Sequence, residues 1–214
     1  MPLEDYKDII ASAASITTIG QMLSGVPICY NIVKQGNTEN VDVMPFLGGT
    51  AISVLMFEYS NILKDDAMKQ VNWFGLILNT AYLLCYYIYT NDKKKVRFQS
   101  FRALLFVGVL ISYAKLESTD KVEYRFGIII TALFMLLIAA PLFSLKEIIQ
   151  TQCSAILPLP MILTGTLVSF QWLLYGIIIK NNFFVFQNVI GLGLSVIQLA
   201  LCIIYPRTPK IKPE

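Results

Sequence analysis

Two asparagines, Asn72 and Asn188, occupy matching points of a pattern that the chain uses twice. YSNILKDDAMKQVNWFG from Tyr59 and YGIIIKNNFFVFQNVIG from Tyr175 both fit Tyr-x4-Lys-x7-Asn-x2-Gly. The pattern matches Tyr59 with Tyr175, Lys64 with Lys180, Asn72 with Asn188 and Gly75 with Gly191. A carboxamide carries both donors and acceptors. In an apolar medium an unpartnered one costs several kcal/mol on transfer scales, roughly 1–3 kcal/mol by protein mutation, so it faces a partner helix or a wet cavity. Two carboxamides facing each other would offer bonds to a hydroxyl-rich solute; the competing reading is two amides that pack helices. Trp172 precedes Tyr175 by three residues, and Met56 holds the same place before Tyr59. An indole in a pore can stack on an apolar C–H face, whereas the competing reading puts Trp172 in an interfacial aromatic belt.

Composition makes lipid the expected solvent for these groups. The 214-residue chain is 56% hydrophobic and 14% charged, with a mean hydropathy of +0.62. A soluble domain carries about 25% charged residues. Apolar runs between charge clusters predict seven spans, at 9–33, 43–63, 71–90, 101–116, 126–149, 155–179 and 183–205. The N-terminus, MPLEDYKDII, is acidic where a secretory signal needs a basic region, so the first span is expected to be retained. With the N-terminus outside, the inner side holds 10 Lys and Arg against 7 outside, most of the margin lying in NDKKKVRFQSFR. The positive-inside rule therefore predicts an extracellular or lumenal N-terminus and a cytosolic C-terminus.

The repeat extends backwards from the tyrosines. Pro45 begins span two and Pro158 span six, each seven residues after a threonine; Pro27 lies in span one and Pro141 in span five. The expected fold is all-α: a seven-transmembrane-helix bundle of two parallel three-helix repeats joined by a linker helix, 3+1+3. The expected divisions are 1–90, a linker at 91–122, 123–205, and a cytosolic tail at 206–214. Parallel repeats of this kind are a transporter signature, although a shared grammar of Pro, Gly and Tyr would also yield some matches. A proline within a helix removes a hydrogen bond and kinks it. Pro27, Pro45, Pro141 and Pro158 would form a ring of weak points at the inner mouth, as an inner gate needs, although proline at a helix start is ordinary.

What is missing narrows the function classes. There is no histidine, hence no near-neutral proton carrier of the usual kind. Glu58 is the one acid placed well inside a span, read as a vestibule carboxylate or as a functional group. No acid pair suggests a proton relay or sodium site, so uncoupled downhill movement is the simplest mode. Cys29, Cys85, Cys153 and Cys202 are widely spaced, without CxxC, and are read as reduced thiols. No nucleophile–base pair or metal constellation supports catalysis, and no metal or cofactor is expected. The net charge of +3 is too small to suggest nucleic acid.

The second repeat, LPLPMILTGTLVSFQWLLYGIIIKNNFFVFQNVIGLGLSVIQLALCIIYP, is similar to the MPF…W..YG…D.F…PN..G…QL pattern of the SWEET family of sugar transporters. The first repeat matches more loosely, keeping LSGVP, KQGNTENVDVMPF and VNWFG. The resemblance covers nearly the whole chain and is closest to animal, arthropod-like members. It implies two three-helix bundles joined by an inverting helix, and bidirectional sugar uniport. The implied binding asparagines are Asn72 and Asn188, the pocket tryptophan Trp172, with Met56 opposite, and the proline tetrad Pro27, Pro45, Pro141 and Pro158. The implied outer gate is Tyr59 meeting Asn181. Three departures stand out: Asn181 replaces the gate aspartate, which weakens that bond; Met56 stands where animal relatives often carry tryptophan; and Ser60, preceded by Glu58 and Tyr59, replaces a glycine.

The implied partners are a mono- or disaccharide and the lipid bilayer, with a homo-oligomer left open; the plasma membrane is the first expected location and the Golgi the second. The nearest rival is a PQ-loop carrier of amino acids, but Ile28 and Leu142, not glutamine, follow Pro27 and Pro141. A seven-helix signalling receptor would need long cytosolic loops and no parallel repeat. A structural or chaperone-like membrane protein would not need polar pore residues.

Overall fold

In the computed structural model the described residues are 3–39 and 41–207, backbone only at 3 and 139–144. All regular secondary structure among them is helical. A 3-10 turn, Leu3–Tyr6, leads into α1 (Lys7–Met22), α2 (Gly25–Gln35), α3 (Met44–Leu63), α4 (Asp66–Tyr89), α5 (Lys93–Leu116), α6 (Val122–Thr151), α7 (Leu159–Ile178) and α8 (Asn182–Ile204). Six stretches among the described residues are long and apolar enough to cross a membrane: Glu4–Gln35, Met44–Leu63, Asp66–Tyr89, Lys93–Leu116, Leu159–Ile178 and Asn182–Ile204. The expected tail, 206–214, lies outside the described residues beyond 207.

Two helices, α1 and α2, make up the expected first span, and Pro27 is the physical reason for the break. Proline cannot donate to the carbonyl four residues back and clashes with it; here that residue is Leu23, and its carbonyl instead accepts from Val26 N at 3.0 Å. Met22 O takes the Tyr82 hydroxyl, which donates at 3.1 Å. Gly25 makes room for that ring, since a Cβ there would overlap it. The break therefore has a cause, a cleared space and a satisfied carbonyl. In contrast, α6 runs as 30 residues of continuous helix through Pro141, whose side chain lies outside the described residues. Pro45 occupies the first turn of α3, and Pro158 caps α7, positions where a missing N–H costs nothing.

Span four is longer than its apolar run. It starts at Lys93 instead of at 101, because Asp92 Oδ1 accepts from Lys95 N at 2.9 Å and caps the helix. Lys and Arg are good helix formers whose heads reach water while their stems stay on the helix. The cluster that marks the end of one span is therefore also the first turn of the next.

The chain divides into two compact units, Thr18–Gly127 and Met1–Thr17 with Ile128–Glu214. In the first, Ile32, Val43, Phe46, Leu47, Tyr82, Tyr86 and Val96 form a core drawn from α2 to α5. Its far loop is tied down at Glu117, whose carboxylate accepts from the Tyr113 hydroxyl at 2.8 Å and the Arg125 guanidinium at 2.5 Å. In the second unit, Ile148, Leu157 and Ile162 pack with Tyr205. Fully buried Ser154 donates from its backbone to Pro206 O at 3.0 Å and from its hydroxyl to Tyr205 O at 2.9 Å, holding the α6–α7 loop to the chain after α8.

The Arg125 and Tyr113 bonds draw the Glu117 carboxyl down from 4.5 to about 2. A carboxyl lowered on folding stabilises fully above its ordinary value and loses that contribution as pH falls through the folded one. Wild type is thus expected to melt above Glu117→Gln at pH 7, with the gap closing between pH 4.5 and about 2; scanning fluorimetry in detergent measures it.

Candidate functional site

The two halves of the repeat build the same local structure. After α3, Lys64 takes a left-handed backbone (φ 54°), and after α7 so does Lys180 (φ 56°). A non-glycine residue there costs roughly 1–2 kcal/mol, and here paired bonds close each turn: Asp65 N donates to Ser60 O at 3.0 Å, Asn181 N to Gly176 O at 3.1 Å. The next helix is capped the same way in both. Asp65 Oδ1 accepts from Met68 N and Asn181 Oδ1 from Phe184 N, each at 2.9 Å.

Six residues into α4 stands Asn72, and six into α8 stands Asn188. Both are half-buried. Each donates its Nδ2 to the carbonyl four residues back: Asn72 to Met68 O and Asn188 to Phe184 O, both at 2.8 Å. This spends one amide hydrogen on the helix and fixes which way the carboxamide turns, since only nitrogen can donate to that carbonyl. What each asparagine keeps for another partner is its carbonyl oxygen, an acceptor, and the second Nδ2 hydrogen.

One turn further on, both units use a glycine to bring helices together. A Cβ on Gly75 would lie 3.0 Å from Ser53 Oγ, and one on Gly191 3.2 Å from Ser169 Oγ. Small residues of this kind let helix backbones approach closely. α3 and α4 are antiparallel across a two-residue turn, and α7 and α8 across a three-residue one. The register set at the glycines therefore brings Met56 to the depth of Asn72, and Trp172 to the depth of Asn188. Trp172 is buried, edge-on to Tyr175 at 5.4 Å and to Phe184 at 5.5 Å between ring centroids. These near-perpendicular contacts fix the indole plane. Met56 is half-buried.

The remaining candidates are dispersed along the helices. Tyr59 is fully buried, its ring 6.3 Å from Phe126, and Asn181 is 6% exposed at its cap. Glu58 accepts from Asn61 Nδ2 at 3.4 Å. Pro45 borders a cavity of about 440 Å³ between α2 and the start of α3, shared with Asn31, Gln35, Asp42 and Phe46. Two interhelical bonds escaped sequence reasoning: Gln187 Nε2 donates to Thr131 Oγ1 at 2.7 Å, and the Thr17 hydroxyl meets Gln171 Oε1 at 2.5 Å. Each glutamine stands next to a candidate binding residue, Gln187 beside Asn188 and Gln171 beside Trp172; the only signal was an amide in an apolar run.

A sequence profile of the family described as "Sugar efflux transporter for intercellular exchange" matches residues 8–94 and again 124–210. The second match is displaced from the first by the interval that separates Tyr59 from Tyr175. The chain belongs to the SWEET family. It is 32% identical to the sugar transporter SWEET1 of Drosophila pseudoobscura pseudoobscura, over 93% of this chain and 89% of that protein. It is 29% identical to the sugar transporter SWEET1 of Caenorhabditis elegans, over 95% and 67%. It is 27% identical to the bidirectional sugar transporter SWEET13 of Oryza sativa subsp. japonica, over 96% and 70%. A solved structure of a eukaryotic SWEET transporter shares the fold, with a TM-score of 0.82 at 24% identity over 93% of this chain and 96% of that one. Against the SWEET pattern, Gln187 stands where the family has the proline before its asparagine.

The glycine contacts set the register of each asparagine, so crowding them is expected to disturb the site. Gly191→Val should lower stability by about 1–3 kcal/mol through overpacking against Ser169. Gly193→Ala, which meets nothing within 4 Å, should hold or slightly raise the melting temperature in the same detergent, since alanine is the better helix former.

Proposed function

We propose that this chain is a bidirectional facilitative sugar carrier that moves mono- or disaccharides down their gradient by alternating access. Its expected organisation is 3+1+3, with the N-terminus extracellular or lumenal, the C-terminus cytosolic, and the plasma membrane before the Golgi as its location. The observation that carries the reading is the pair of asparagines with one geometry. Both are held by their own helix through one Nδ2 hydrogen, one at the depth of a tryptophan and the other at the depth of a methionine. Relatives named as sugar transporters support it.

In this mechanism Asn72 and Asn188 accept hydrogen bonds from sugar hydroxyls, while Trp172 and Met56 supply the apolar surface against the ring. Tyr59 and Asn181 close the outer gate. With its Oδ1 on the Phe184 amide, Asn181 would meet the tyrosine hydroxyl as a donor through Nδ2. Pro27, Pro45, Pro141 and Pro158 serve the inner gate, with Pro27 acting through the helix break it causes. A chain without histidine and, among the described residues, without a buried acid pair offers no evident proton route, so transport is uncoupled.

Asn188→Ala is expected to reduce radiolabelled-sugar flux into proteoliposomes by about tenfold or more, from the loss of a hydrogen-bonding group to the sugar, with the melting temperature nearly unchanged. Flux at the wild-type level would remove Asn188 from the site. A pH gradient should leave wild-type flux unaltered in either direction, and proton-driven accumulation would refute uniport. Asn181→Asp should strengthen both the cap and the gate. It is expected to raise the melting temperature and slow exchange; faster exchange would remove Asn181 from the gate.

A further inference from the structure

One cavity lies away from every residue assigned above. It has a volume of about 400 Å³ and is lined by Phe57 on α3 and Asp66, Lys69, Gln70 and Trp73 on α4. Trp73 is 53% exposed and its ring lies 5.7 Å from that of Phe57, forming an aromatic floor. Lys69 Nζ stands 5.9 Å from the Phe57 ring centroid. Asp66 and Lys69 have opposite charges and adjacent places on the helix face, yet among the described residues neither takes part in an ion pair.

The face continues down the helix. Residues 66, 69, 70, 73, 77, 81, 84 and 88 follow one side of α4, and below the cavity they are apolar and exposed: Ile77 51%, Leu84 57%, Ile88 64%. Asp66 is the first residue of a 24-residue helix that satisfies the criteria of a membrane span. Trp73 lies about 10 Å below it at 1.5 Å per residue. A helix of this length overruns a hydrocarbon core of about 30 Å, so the charges reach headgroup depth and Trp73 the glycerol level, above an acyl-chain track.

We propose that this cavity seats a zwitterionic phospholipid of the phosphatidylcholine type. The Lys69 ammonium faces the phosphate, the Asp66 carboxylate faces the quaternary ammonium, and the Trp73 ring offers that cation a π face. The acyl chains run along Ile77, Leu84 and Ile88. The opposed charges match a zwitterion and give an anionic headgroup no net attraction. The fold itself does not require these groups. In the second repeat the counterparts of Asp66, Lys69 and Trp73 are Asn182, Val185 and Val189, without charge or aromatic ring. The same helical scaffold therefore carries the opposed charges and the indole in one repeat and lacks them in the other, where Phe186 stands at the place of Gln70.

The test offers full-length protein in detergent equal amounts of phosphatidylcholine and phosphatidylglycerol, and native mass spectrometry reads which is retained. Wild type is expected to keep phosphatidylcholine preferentially. Trp73→Leu and Lys69→Gln should each lower that preference about fivefold, while Val189→Ala leaves it unchanged. Equal retention of the two lipids, preference for phosphatidylglycerol, or a preference that survives Trp73→Leu would overturn the proposal. Displacement of the lipid by added sugar would also overturn it, marking the cavity as a sugar platform. The wild-type competition decides even where a variant does not fold.

Discussion

A buried carboxamide must bond to something, and in this chain both candidate binding asparagines bond to their own helix. That single constraint organises the site. Donation to the carbonyl four residues back fixes the rotamer, satisfies part of the polar group without a partner helix, and leaves the carbonyl oxygen and one N–H for another partner. An amide held this way has its orientation set before any solute arrives, so less ordering is required on binding. The close glycine–serine approach one turn away, and the left-handed lysine followed by a capping Asp or Asn, are the local means of holding that helix turn at a fixed depth. Both repeats use them, with nearly the same distances.

One difference between the repeats lies at the proline-bearing end. The first has a helix interrupted before Pro27, a tyrosine hydroxyl on the carbonyl that the break exposes, and a cavity beside Pro45. In the second, α6 is continuous, and a loop is held by Ser154 to the chain after α8. A broken helix bends at lower cost than an intact one. Two repeats of one ancestry therefore present unequal stiffness, and in a carrier the softer one would take more of the movement. The headgroup cavity on α4 adds a second inequality at the opposite end of the same unit.

Much of this was legible in the sequence because the repeat is carried by residues with strong local demands. Tyr-x4-Lys-x7-Asn-x2-Gly records a left-handed turn, a cap and a close helix contact, none of which tolerates free substitution. Six of the seven expected spans coincide with stretches that, among the described residues, are long and apolar enough to cross a membrane. The start of span four was not legible, because a run of lysines reads as a loop by hydropathy although lysine is a good helix former. The place of the break in α1–α2 was also hidden, since a proline announces a kink but not which carbonyl will be rescued by a tyrosine 60 residues away. The capping role of Asn181 was missed for a similar reason: the resemblance assigned it to a gate, and the bond that buries its oxygen is with its own helix. Sequence alone offered the asparagines as both donors and acceptors, and only the bonds to Met68 and Phe184 show that one Nδ2 hydrogen of each is already used.

A series of sugar analogues tests this directly. In a deoxy sugar a hydroxyl is lost, and in a deoxyfluoro sugar it becomes a group that accepts weakly and cannot donate. If Asn72 and Asn188 meet the substrate through their carbonyl oxygens, the deoxy and deoxyfluoro analogues at the recognised positions should compete equally poorly with the parent sugar for entry into proteoliposomes. Deoxyfluoro analogues that compete as well as the parent would mean that the asparagines act as donors through the second Nδ2 hydrogen, contradicting recognition through the carbonyl oxygens.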